Sequence, residues 1–202
     1  MALRNWFGPS KREIWRQLSD EIGASYVEGR TFKTDKVQVS HGEWTLTLDT
    51  YVVATGKTTM VFTRMRAPYV NPDGFRFSVY RKGMFSGIGK FFGMQDLEVA
   101  DSEFDDAFII KASDEGRIRQ LLSNEKLRAL ISGQKDIQFS VPDAAGWFGP
   151  TFPEGVDELN FVVLGVIKDV ERLKQLYELF AETLDELCRI GSAYRENPGV
   201  TV

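Results

Sequence analysis

Gly56-Lys57-Thr58 carries the closing residues of a phosphate-binding loop, where backbone amides, a lysine and a hydroxyl surround the phosphates. That loop requires a glycine five residues before Gly56, and the chain has Tyr51 there. It also requires a helix afterwards, so that amides and dipole face the anion, whereas Thr59-Met60-Val61-Phe62-Thr63 is strand-like. A hairpin turn is the reading that fits. Asp101, Glu103, Asp105 and Asp106 resemble an oxygen-rich cation loop, but a calcium-binding EF-hand would place glycine at Asp106 and glutamate at Ala112. An acidic surface loop is expected instead. His41 is the only histidine, beside Gly42 in an expected turn, and no Gly-x-Ser-x-Gly elbow accompanies it, so neither a serine triad nor a histidine metal site is supported. Cys188, the only cysteine, sits among apolar neighbours and reads as a packing residue. No catalytic residue, metal or cofactor is therefore assigned. A non-enzymatic binding or scaffold module is the expected function. The alternative is a small-molecule carrier or enzyme using a carboxylate, tyrosine and arginine pocket.

Charge supplies the one positive signal. Residues 57–90 hold seven bases against the single acid Asp73, while residues 96–125 hold nine acids against three bases. Such asymmetry speaks of partners or internal pairing. The segment from Arg81 to Met94 has no acid and interleaves Arg81, Lys82 and Lys90 with Phe85, Phe91 and Phe92. Facing outward, it would suit an anionic membrane surface or a protein partner; facing inward, its aromatics would plug the sheet and its bases would pair with the acidic segment. Trp147 and Phe148, with Phe152, pose the same question. Trp6-Phe7-Gly8-Pro9 recurs as Trp147-Phe148-Gly149-Pro150, but nothing around the copies matches, so no repeat architecture follows. The net charge of −4 argues against nucleic acid as a partner.

The 202 residues, 43% hydrophobic and 27% charged, suffice for one folded unit spanning 1–202, with two subdomains, 1–95 and 96–202, as the alternative division. One cysteine permits no internal disulfide, Met1–Pro9 lacks the apolar run of a secretory leader, and the longest apolar run, Phe161 to Ile167, is too short to span a bilayer. A cytoplasmic location is expected.

The elements follow from periodicity. Ser10-Lys11-Arg12-Glu13 is a capping box, Ile14, Trp15, Leu18 and Ile22 make one helical stripe, and Gly23 ends it. Between Ala24 and Lys82 the period becomes two, as in Trp44, Leu46 and Leu48 alternating with Thr45, Thr47, Asp49 and Tyr51. Turns at His41-Gly42, Thr55-Gly56 and Asn71-Pro72-Asp73-Gly74 divide this stretch into an antiparallel sheet of about five strands. A β-α-α-β-β-α half is expected to follow. Its helices lie at Arg117–Leu122 and Glu125–Ile131, its strands at Phe108–Lys111, Ile137–Val141 and Leu159–Ile167, and a long helix starts at Asp169. The seam Leu173, Tyr177, Phe180, Leu184 and Leu187 suits burial within the domain, with homodimerisation as its other use. The fold class is thus α+β.

Within that second half, Glu103-Phe104-Asp105-Asp106-Ala107-Phe108-Ile109-Ile110, followed by Asp114, Arg119, Leu121-Leu122, Leu127 and Leu130, resembles a Phe-Asp-x-x-Phe pattern of bacterial domains of unknown function. The resemblance covers about thirty residues of mostly packing chemistry. It implies a bacterial source and carries no catalytic residue to this chain.

Overall fold

The computed structural model describes residues 8–29, 34–83, 96–142, 152–200 and 202. In chain order its elements are α1 (Lys11–Ile22), β1 (Ser25–Val27), β2 (Lys36–His41), β3 (Trp44–Thr55), β4 (Thr58–Val70), β5 (Phe77–Arg81), α2 (Ser102–Ala107), β6 (Phe108–Ala112), α3 (Glu115–Leu121), α4 (Glu125–Gly133), β7 (Gln138–Ser140), β8 (Val156–Leu164) and α5 (Val170–Arg189). The α+β class holds.

Helix starts are set by local chemistry. Ser10 Oγ accepts the Glu13 amide at 3.3 Å while Glu13 accepts the Ser10 amide at 2.8 Å, so the capping box forms. Asp101, Asp114, Asn124 and Asp169 each accept an amide of the first turn of α2, α3, α4 and α5. Asp101 thus opens a six-residue helix where an acidic loop was expected.

The sheet is larger than the sequence suggests. Among the described residues it has eight strands in the order β1-β2-β3-β4-β8-β7-β5-β6, each pair of neighbours antiparallel. The expectation of about five strands is corrected because β6, β7 and β8 do not form a separate half. They join the strands of residues 24–82 edge to edge, which leaves fewer unpaired amides and carbonyls exposed. β8 takes the place beside β4 that a simple meander would give to β5. The turn at Asn71–Gly74 therefore joins strands that are separated by β8 and β7.

One face of this sheet meets the helices. Leu46, Leu48, Met65, Phe77, Phe139 and Phe161 form a single cluster with Trp15 and Leu18 of α1, Ile118 of α3, Leu127 and Ile131 of α4, and the α5 seam. Leu173, Phe180, Leu184 and Leu187 are fully buried and Tyr177 nearly so, its hydroxyl donating to the Val37 carbonyl at 3.1 Å. The seam considered for a homodimer therefore packs inside its own chain.

Candidate functional site

Of the residues singled out for binding, Arg81 and Lys82 are described, and both hold helix ends. Arg81 donates to the Ser132 and Gln134 carbonyls at 3.0 and 3.3 Å, at the C-terminal end of α4, and lies 4.7 Å above the Phe108 ring. Its charge faces the negative end of that helix. The Lys82 ammonium donates to the Asp105 carbonyl at 2.7 Å in α2. Phe85, Lys90, Phe91, Phe92, Trp147 and Phe148 lie outside the described residues, as does the second Trp-Phe-Gly-Pro copy.

The other motifs resolve into structure. Gly56, at φ 56°, turns β3 into β4 with strand on both sides, so Lys57 stands on a hairpin tip. Asp105 accepts the Val99 amide at 2.9 Å, and Asp101 receives Arg128 at 2.9 Å. His41 Nε2 meets Asp185 at 3.0 Å, and Arg195 meets the other oxygen of that carboxylate at 2.8 Å. Burial pushes the Cys188 thiol up, which lowers its thiolate fraction and its reactivity. Arg64, Arg66 and Arg76 pair with Asp49, Glu158 and Asp157 and Arg81 with carbonyls at the end of α4, outside the acidic segment, whereas Lys82 reaches that segment at the Asp105 carbonyl.

The arrangement with chemical potential lies on the sheet face opposite the helices. Strand register aligns Gln38, Thr47, Arg66, Asn160, Ser140, Ser78 and Lys111 in one polar row across β2, β3, β4, β8, β7, β5 and β6. The adjacent row brings Asp49 beside Arg64, then Val162, Gln138 and Tyr80. Side chains of a strand alternate between faces, so these residues interleave with the apolar core positions one by one.

The rows converge on a buried ionic cluster. Asp49, 2% exposed, accepts from Arg64 through both oxygens at 2.9 and 2.8 Å and from Arg66 at 2.8 Å. Burial opposes its charge, but the two guanidinium groups outweigh that cost and hold its carboxyl below the usual range. Glu158 receives less help. It is 6% exposed, and its Oε2 stands 3.7 Å from Arg66, beyond hydrogen-bond distance. Burial, reinforced by the Asp49 charge and opposed by Arg66 and Arg64, raises its pKa to about 7. The Arg64 guanidinium, its side chain a quarter exposed, lies 4.9 Å over the Tyr51 ring, which stacks on Phe62 at 5.1 Å. Four polar atoms on this face are buried without a hydrogen-bond partner: Arg66 Nε, Glu158 Oε2, Asn160 Oδ1 and Ser78 Oγ. Leaving such a group unpaired costs about 1–3 kcal/mol, so several on one face demand an account.

Sequence reading placed Asp49 on the polar side of its strand but assigned no role to Arg64, Arg66, Glu158 or Asn160. The available signal was Arg64-x-Arg66, two charges at strand period inside Val61–Val70. Their partners lie 15 positions from Arg64, at Asp49, and 92 from Arg66, at Glu158, and become visible only through register.

No family model matches the chain, no curated protein is similar to it, and no solved structure matches it. No helix among the described residues is long and apolar enough to cross a membrane.

Proposed function

We propose that the protein is a non-enzymatic binding module of the carrier type, its ligand held on the polar face of the sheet at Arg66, Glu158 and Asn160. The observation that carries this reading is the set of buried donors and acceptors without hydrogen-bond partners gathered on strands β4, β8 and β5 of this face. A bound polar molecule supplies the missing partners, and Arg64 and Tyr51, less deeply buried, flank the way in. Native mass spectrometry of the gently purified chain tests it. The wild type carries a discrete extra mass, and Asn160→Leu, which leaves the Asp49 pairs intact, loses it. A bare wild-type chain overturns the reading.

A second reading, a scaffold touching a protein or anionic membrane partner, draws on a different surface. β3 and β4 continue as a two-stranded ribbon beyond the pairing reach of β2 and β8, with Val52 56% exposed on the ribbon, and Leu164 at the end of β8 is 62% exposed. The basic–aromatic segment from Arg81 to Met94 belongs to the same reading. Loss of a captured partner in Val52→Asp, with the polar-face ligand retained, would favour it.

A further inference from the structure

We propose that the polar face takes a sugar acid, a hydroxyl-rich organic monoanion, with its carboxylate between Arg66 and Glu158 and its hydroxyls along Asn160, Ser140 and Ser78; this rests on the binding-module reading above.

The charge of the ligand follows from the cluster. Arg64 and Arg66 bring two positive charges and Asp49, bonded to both, cancels one. The remaining positive charge is unopposed when Glu158 carries a proton. That leaves room for a single negative charge, and a phosphate dianion would exceed it. The unpaired Arg66 Nε–H offers a donor at this end, and a protonated Glu158 offers a second through Oε2. Two donors side by side match a carboxylate better than any neutral group.

The body of the ligand follows from the rest of the row. Between Arg66 and Lys111 the row carries no charge, and Asn160, Ser140 and Ser78 succeed one another on β8, β7 and β5, while Lys111 at the far end on β6 pairs with Asp96 at 3.4 Å. Neighbouring strands lie about 4.8 Å apart, so this uncharged polar track runs roughly 10 Å from Asn160 to Ser78. Asn160 Oδ1 is an unpaired acceptor, and Ser78 Oγ both donates and accepts. A succession of hydroxyls, each donor and acceptor at once, is the chemistry that satisfies such a track. Asn160 Nδ2 already donates to Glu158 Oε1 at 3.3 Å, and an aliphatic acid would leave Asn160 Oδ1 and Ser78 Oγ as they are, without a partner.

Because a bound monoanion stabilises the protonated form of Glu158, binding is linked to proton uptake. Among the described residues, the charged groups facing Glu158 are Arg66 and Arg64 of β4 and Asp49 of β3, while β7 presents only Gln138 and Ser140.

Titration calorimetry with D-glucuronate, D-glucose and inorganic phosphate, at pH 6 and pH 8, tests this. Glucuronate binds at pH 6, glucose and phosphate bind at least about tenfold more weakly, and glucuronate affinity falls by about tenfold at pH 8, the effect of one linked proton. Glu158→Gln, which keeps the volume, removes that pH dependence. Ser78→Ala, which leaves every ion pair in place, weakens glucuronate by about two- to tenfold. Equal binding of glucose overturns the monoanion, and preferred binding of phosphate overturns the carboxylate. Absent glucuronate binding overturns the sugar acid. If the chain still carries an Asn160-dependent mass, the binding module survives that result; if it is also bare, both fall and the polar row holds water alone.

Discussion

Met65 and Arg66 are neighbours in β4, both buried, and they face opposite sides of the same sheet. On Met65's side burial is satisfied mainly by volume: apolar side chains of the strands meet Trp15, Phe180 and the rest of the helical seam, with few directed bonds, among them those of Trp15 to the Ile167 carbonyl and Tyr177 to the Val37 carbonyl. On Arg66's side burial depends on pairing. Asp49 sits where two guanidinium groups reach it, whereas Glu158 accepts from the Asn160 side-chain amide at 3.3 Å through Oε1 and its Oε2 stands 3.7 Å from Arg66, short of a full bond. The first face tolerates exchange among residues of similar size; the second is specified atom by atom through strand register. If the polar face binds as proposed, conformational stability and molecular recognition are divided between two faces of one set of strands.

The largest effect that tests this division is on the apolar side. Phe161→Ala removes a fully buried ring between the strands and α5, and urea unfolding should show a loss of about 3–5 kcal/mol. Asp49→Ala should come close to it, about 3 kcal/mol or more, because both arginines lose their shared carboxylate in a buried setting. The contrast lies in repair. Replacing Asp49, Arg64 and Arg66 together with apolar residues of similar volume should restore most of the stability, since a buried ion cluster seldom exceeds a packed apolar one. A triple variant as unstable as Asp49→Ala would show that the polar face holds the fold together, and the division would collapse.

Much of the apolar side was legible in the sequence, and for a local reason. Ser10, Asn124 and Asp169 cap helices using amides three residues away, and the α5 seam repeats within one helix, so a short window contains the whole interaction. The alternation from Trp44 to Tyr51 likewise showed which side of β3 is apolar. The sheet order was not legible, because β8 reaches β4 across a chain separation that no periodicity encodes, and β7 has only three residues to show a pattern. The polar cluster failed for the same cause compounded: each of its charges looks solvated in its own strand until register sets β3, β4 and β8 side by side. Asp101 was hidden differently, its capping role masked by the acidic residues around it.

A smaller effect separates the two carboxylates of the polar face by pH. Glu158 has its folded pKa raised from 4.5 to about 7, so the folded chain holds a proton that the unfolded chain has released. Its contribution is fully present below pH 4.5 and is lost as pH rises through about 7, a decline on the order of 3 kcal/mol. Glu158→Gln should abolish that decline and make the variant more stable than the wild type at pH 8, as measured by urea unfolding at pH 5, 6.5 and 8. Asp49 runs the opposite way: its pKa is lowered, so its contribution is present above its ordinary value and is lost as pH falls through the depressed one. A wild-type stability that is flat from pH 5 to 8 would mean that Glu158 is ionised throughout and well paired.

The smallest effect belongs to Arg81, and its smallness is informative. Its guanidinium closes the end of α4 through the Ser132 and Gln134 carbonyls, an interaction of a positive group with a helix C-terminus worth about 1 kcal/mol. Arg81→Met keeps an unbranched stem and removes the donors together with the guanidinium over the Phe108 ring, so the thermal midpoint should drop by about 2–4 °C for a domain of this size. Binding on the polar face should be untouched, because Arg81 lies on the helix side of β5 while Tyr80 and Ser78 face the other way. If Arg81→Met instead left stability unchanged and abolished capture of a protein or an anionic vesicle, the donors would be free to leave α4, and the basic–aromatic segment would become the recognition surface in place of the polar row.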